Sequence, residues 1–255
     1  MTGIATIDEK ASFGNLIIAE SRKFIDTRAS VWLLSIAAIL SLIVAAVSGR
    51  AITTHISGDL AWSVLFSFTV MPINALLPIV AILMVTAEWS HRTALMTFVM
   101  TPRRHVVTAA KGIVAAAASV IATALAIVLA AASGLVSTAT KNSVILTGAN
   151  WQALLGSTIA NLIYVFVGFA MGMAFLNAPA AITVILIVPT TVLPAVALVD
   201  QLHPIIPWLN YLQAGGPLTT GTIHGVEWAH LATSTGLWIA LPIIIGLWRQ
   251  HVREP

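Results

Sequence analysis

The sequence predicts an all-α, polytopic membrane protein. It should have six transmembrane helices, both termini on the cytoplasmic side, an interfacial helix before the first span and a further helix in the loop after the second. Three observations predict this. The 255 residues are 58% hydrophobic and 8% charged, with a mean hydropathy of +0.97, whereas soluble domains carry about 25% charged residues. The apolar residues come in blocks that can supply the roughly 20 residues a membrane helix needs, without the apolar/polar alternation of barrel strands. Finally, the lysines and arginines sort to one side of the resulting arrangement.

The chain begins MTGIATIDEKASFGN, where Asp8 and Glu9 stand in place of the basic run that opens a secretory signal. The first span is therefore expected to be retained, and residues 1–30 to form a cytoplasmic N-terminus. Within it, residues 13–29 place Phe13, Ile17 and Phe24 on one helical face, with Glu20, Lys23 and Asp26 elsewhere. This suits a helix lying on the inner leaflet.

Spans are expected at about 31–49, 61–87, 112–137, 151–175, 178–199 and 231–248, inside a membrane domain of residues 31–248. Residues 249–255 are left as a tail. The fourth and fifth spans are separated only by the Asn177-Ala178-Pro179 region, so they should form a tight antiparallel hairpin. Ten basic residues (Lys10, Arg22, Lys23, Arg28, Arg92, Arg103, Arg104, Lys111, Arg249 and Arg253) fall on the side of the termini, and Arg50 and Lys141 on the other. That bias places both termini inside. Trp32, Trp62, Trp89, Trp151, Trp208, Trp228 and Trp248 fall near span ends or in outer loops, as indoles at an interface do; Trp238 alone sits mid-span.

Polar and kinking residues mark two spans. The second carries Pro72, Asn74 and Pro78, and the fifth Pro189, Thr190, Thr191 and Pro194. Prolines bend a helix, which lipid tolerates where protein or water satisfies the freed carbonyl. Gly156, Ala160, Gly168 and Gly172 give the fourth span a small-residue stripe suited to close helix packing. The outer segment 200–230, broken by Pro204, Pro207 and Pro217, is too long for a plain connection.

Several chemistries are excluded or disfavoured. The chain has no cysteine, hence no disulfide, Cys-based zinc site or thiol nucleophile. The small, localised charge of +3 gives no nucleic-acid surface. No lysine follows a glycine, so there is no GxxxxGK[ST] phosphate loop, and HExxH is absent. His224, Glu227 and His230 in HGVEWAH would spread over about a third of a helix circumference, which is loose for a metal. Every histidine lies outside the spans or at their ends, which removes the base an intramembrane serine protease needs. Asp59, Glu88, Asp200 and Glu227 also lie at or beyond span ends, against the intramembrane carboxylates of an ion-driven carrier.

The loop EWSHRTALMTFVMTPRRHVVTAAK, residues 88–111, interrupts this apolar chain with charge. Leu95, Phe98 and Val99 come together on a short amphipathic helix that Pro102 interrupts. Arg103 and Arg104 then fall at the phosphate level, and Lys111 is placed to snorkel from the start of the third span. By composition alone the loop reads as a surface helix anchored electrostatically.

The stretch resembles a pattern of the ABC-2 type permeases, the membrane subunits of a class of ATP-binding-cassette transporters. Glu88, Trp89, Thr93, Pro102, Arg104, Ala110 and Lys111 match E-[YW]-x-x-x-T…P-x-R…A-K. Glu20, Lys23, Arg28 and Trp32 are similar to the family's approach to its first span. Gly168, Gly172, Asn177 and Ala181 are similar to its fourth-span pattern, although Leu176 stands where an arginine is common and Trp248-Arg249-Gln250-His251 replaces the usual C-terminal R-R-D.

The resemblance implies a permease of the bacterial plasma membrane with no catalysis or cofactor of its own. ATP and magnesium would sit on a partner ABC ATPase, present in two copies, and a second permease subunit, identical or related, would complete the transporter. Loop 88–111 would carry the coupling helix, with Leu95, Met96 and Phe98 as its apolar anchor, as interface hot spots tend to be. Glu88, His91 and Arg92 would make its polar contacts, while Arg103, Arg104 and Lys111 hold it at the membrane. Met71, Asn74, Pro78, Thr190, Thr191 and Pro194 would line a path for a hydrophobic or amphipathic cargo (drug, lipid or similar). A membrane scaffold that recruits a soluble partner through the same loop, without transport, stays open beside this reading.

Overall fold

In a computed structural model the chain is described over residues 13–55, 59–90, 104–141 and 151–252. These are almost entirely helical, and no strand occurs among the described residues. Six helices are long and apolar enough to cross a membrane, as a multi-pass membrane protein requires.

The first four are continuous: Arg28–His55, Asp59–Ser90, Arg104–Lys141 and Trp151–Phe175. The third starts eight residues earlier than expected, at Arg104, and so projects past its apolar part. The fifth runs from Ala178–Ile187 through a π-helical turn, Val188–Val192, into Leu193–Val196. The sixth likewise passes from Val226–Thr235 through a π-turn, Gly236–Ala240, into Leu241–Val252.

The N-terminal helix, Phe13–Asp26, buries a different face from the one expected. Glu20 and Phe24 are its buried residues, while Phe13 is exposed. Residues 17, 20 and 24 are spaced i, i+3 and i+7, which puts Glu20 on the same face as its apolar neighbours.

The fourth span is the centre of the bundle. A Cβ on Gly168 would fall 2.3 Å from the Pro78 carbonyl oxygen, and one on Gly156 would fall 1.9 Å from that of Leu218. Only a residue without a Cβ lets the backbones approach this closely, which is the packing the small-residue stripe predicts. Gly168 meets Pro78 and Gly172 meets Ile82, so the second and fourth spans run parallel. Ser133 donates to the Ala45 carbonyl and Ser137 to that of Gly49, so the first and third do too. A bundle whose successive helices alternate in direction must show both relations.

The turn between the fourth and fifth spans is as tight as expected. Leu176 takes a left-handed backbone, φ 53°, and Asn177 caps the next helix by accepting from the Ala180 amide at 3.1 Å. Trp32, Trp151, Trp228 and Trp248 are exposed, as residues of an aromatic belt would be. Trp62 departs from that expectation, being buried and stacked on Phe66.

The segment 200–230, outer in the expected topology, folds back onto the bundle. Its helix Tyr211–Thr220 lies along the first half of the fourth span, where Leu218 meets Gly156 and Tyr211 packs edge-on to Tyr164 at 5.6 Å. Both π-turns bind this segment. In the fifth span the Leu193 amide reaches back to the Val188 carbonyl. Pro194, next in line, has no N–H to offer Pro189. The Asn210 Nδ2 donates to that carbonyl instead, at 2.8 Å. In the sixth span Pro242 again follows the π-turn, and the Trp238 indole donates to the Leu209 carbonyl at 2.7 Å.

Thermal unfolding in detergent should separate two glycines. Gly168→Ala forces two backbones apart and is expected to cost about 1–3 kcal/mol, as overpacking does. Gly216→Ala adds a Cβ that meets nothing within 4 Å and should be neutral or stabilising by up to about 1 kcal/mol. Equal melting temperatures for the two variants would contradict the packing described.

Candidate functional site

The site sits at the foot of the bundle, meaning the end where the N-terminal helix crosses the start of the third span. Amphipathic spacing turns Glu20 inward, leaving it 2% exposed, and the early start of the third helix brings Lys111 to meet it, 6% exposed. The Lys111 Nζ lies 2.8 Å from Glu20 Oε2, and the Lys23 Nζ lies 2.7 Å from Glu20 Oε1. Lys111 also donates to the Met84 carbonyl of the second span, at 3.4 Å. Phe24, Met84 and Val114 of the surrounding elements belong to one apolar cluster.

Two opposing influences act on Glu20. Burial acts to raise its carboxyl pKa, but the Lys111 ammonium and its hydrogen bond, reinforced by Lys23, outweigh burial. The carboxyl therefore titrates below its ordinary 4.5. The Glu20 side chain is buried and bonded on both carboxylate oxygens. Mechanically it is a joint: one lysine binds the N-terminal helix to the third span and to the last turns of the second. Those two spans flank the 88–111 loop.

The residues expected to carry function fall into three groups. His91, Arg92, Leu95, Met96, Phe98 and Arg103 lie outside the described residues. Glu88 belongs to the last turn of the second span and Arg104 opens the third. Lys111, expected to snorkel to the headgroups, is instead turned into the protein and committed to Glu20. A buried carboxylate within reach outcompetes the interface for the ammonium.

The expected path residues are placed on two spans that touch. Met71 is exposed, Asn74 is half-buried with its Oδ1 lacking a hydrogen-bond partner among the described residues, and Pro78 is buried against Gly168. On the fifth span Thr190, Thr191 and Pro194 are exposed at the π-turn. Thr190 turns its hydroxyl back to the Leu186 carbonyl and lies beside that of Thr191. In the outer segment Glu227 accepts from the His224 amide at 2.8 Å, while the His230 ring packs on Trp208. No group of three or more metal-ligating side chains occurs among the described residues.

One polar contact inside the bundle went unpredicted. Asn161, fully buried on the fourth span, donates to the Thr123 hydroxyl of the third at 2.6 Å. A lone asparagine at a helical core position carries no sequence sign of its partner. Glu20 did carry one, in the i, i+3, i+7 spacing of Ile17, Glu20 and Phe24. The chain matches no protein-family model and no curated protein sequence.

The joint makes two predictions. Lys111→Met leaves a buried carboxylate facing an apolar side chain and should cost about 3–5 kcal/mol, whereas Glu20→Met/Lys111→Met should recover most of that loss. Thermal unfolding of both variants checks this, and a double variant no better than the single one would refute it. The second concerns acid. Because the folded pKa of Glu20 is depressed, its stabilisation is fully present above 4.5 and is lost as pH falls through the folded value. The stability gap between wild type and Glu20→Gln should therefore hold constant above pH 4.5 and close below it.

Proposed function

We propose that this chain is the membrane subunit of an ABC-2 type exporter in a bacterial plasma membrane, with the foot of the bundle in the cytoplasm. Two such subunits, identical or related, form the path for a hydrophobic or amphipathic cargo. A separate ATPase, two copies per transporter, binds ATP and magnesium and supplies the energy.

The observation that carries this reading is the convergence of Glu20, Lys23 and Lys111. These residues lie in two separate stretches that resemble the family, up to 91 positions apart, and they meet at distances under 3 Å. The contact makes one body of the N-terminal helix and the roots of the second and third spans. A coupling element between those roots could transmit a push only if its supports did not yield. The exposed threonines and proline of the fifth span and exposed Met71 on the second offer lightly polar surface suited to lining a path between subunits. A π-turn at the threonines suits a helix that takes part in a rocking transition.

The test needs a partner ATPase captured by co-purification with this chain and reconstituted with it in lipid nanodiscs; failure to capture any ATPase would count against the reading. Leu95→Asp/Phe98→Asp should weaken the complex by roughly tenfold or more, as loss of an interface anchor does. The coupled ATP hydrolysis rate should fall with it, while the melting temperature of the membrane subunit holds. An ATPase that binds and turns over equally well with the variant would remove the coupling role. One that binds through the loop but drives no cargo would point to a scaffold.

A further inference from the structure

A cleft of about 360 Å³ opens where the N-terminal helix crosses the first three spans. Ile17, Phe24 and Ile25 cover one side of it, and Ala37 and Leu77 stand among the residues of the first and second spans that line it. The third span borders it from Ile113 to Leu125. At 1.5 Å per residue that border is about 18 Å long. One leaflet's share of the hydrocarbon core, about half of 30 Å, is similar. The volume also lies within the range of small-molecule sites, about 300–1,000 Å³. Ser21 is the one polar side chain in the lining, and its hydroxyl is already given to the Ile18 carbonyl.

The lining carries no charge, but the chain beside it does. Arg22 and Arg28 stand three residues to either side of Ile25, which lines the cleft. Both are exposed, and neither guanidinium has a hydrogen bond or ion pair among the described residues. Glu20, one of two carboxylates on this helix, is committed to Lys23 and Lys111. Asp26 is the other and is exposed. Exposed arginines in this stretch therefore outnumber exposed carboxylates two to one.

We infer that this cleft holds an acyl chain of one anionic glycerophospholipid, with its phosphate received by Arg22 and Arg28. The guanidinium fork matches phosphate oxygens in pairs, and the apolar trough beneath accepts a hydrocarbon chain at leaflet depth. A free phosphate ion would gain nothing from the trough, and a neutral lipid would leave the arginines less satisfied. The lipid is structural, wedged beside the Glu20–Lys111 joint on a face bounded by the N-terminal helix and the first three spans. It is distinct from any cargo at the exposed threonines of the fifth span. The inference requires only that the chain lies in a bilayer, so it stands or falls separately from the transport reading.

The full chain, reconstituted in nanodiscs of equal phosphatidylglycerol and phosphatidylcholine, can be released into native mass spectrometry and its retained lipids counted. One phosphatidylglycerol per chain is expected, preferred roughly thirtyfold on the strength of two basic contacts. Ala118→Trp places an indole in the cleft and should abolish retention. Arg22→Gln/Arg28→Gln leaves the packing untouched and should bring the preference close to one, which keeps the test decisive even if the tryptophan variant fails to fold. Equal retention of both lipids by the wild type would overturn the inference, as would an Ala118→Trp protein that still carries the lipid. So would a wild type with no retained lipid, the result expected if residues 1–12 or a second copy filled the cleft.

Discussion

A carboxylate and an ammonium withdrawn from water can stay ionised only in each other's company, and this constraint organises the foot of the molecule. Taking either charge out of water costs several kcal/mol. Glu20 and Lys111 meet that cost with two well-made contacts to the carboxylate and a further one to the Met84 carbonyl. The N-terminal helix cannot swing away without stranding a charge among Phe24, Met84 and Val114. An apolar contact of the same size would tolerate sliding by a turn, whereas an ion pair of this geometry tolerates very little. The roots of the second and third spans are thereby held in one register.

Away from the foot, position is set by the absence of side chains. Gly156, Gly168 and Gly172 bring the outer segment and the second span within backbone contact of the fourth, so that one helix organises the bundle along its length. Close packing of this kind does the work that burial of apolar surface does in water, since lipid offers helices no hydrophobic reason to associate. Asn161 and Thr123 add a directional bond to that contact surface.

Much of this was legible in the chain and some was not. Six apolar blocks gave six helices because bilayer thickness dictates their length, and the glycines of the fourth span gave its contacts because no other residue fits there. The tight fourth-to-fifth turn followed from Asn177 and Pro179. The inward turn of Lys111 was misread because its acidic partner lies 91 residues away, and headgroup snorkelling is the default for a lysine at a span end. Trp62 was misread for a related reason: an interfacial rule describes indoles that face lipid, and the Trp62 position faces Phe66. The π-turns could not be read at all. A proline announces a lost hydrogen bond, but which neighbour replaces it depends on how the outer segment folds back.

That replacement has a mechanical result. Asn210 holds the fifth span through Pro189, and the adjoining Leu209 is held by the sixth through Trp238. Two π-turns in separate helices are thus joined across the Leu209–Asn210 peptide link. A twist of either helix at its bulge would pull on that link and, through it, on the other helix. The two helices are linked as meshed gears would be, with the 200–230 segment as their common axle.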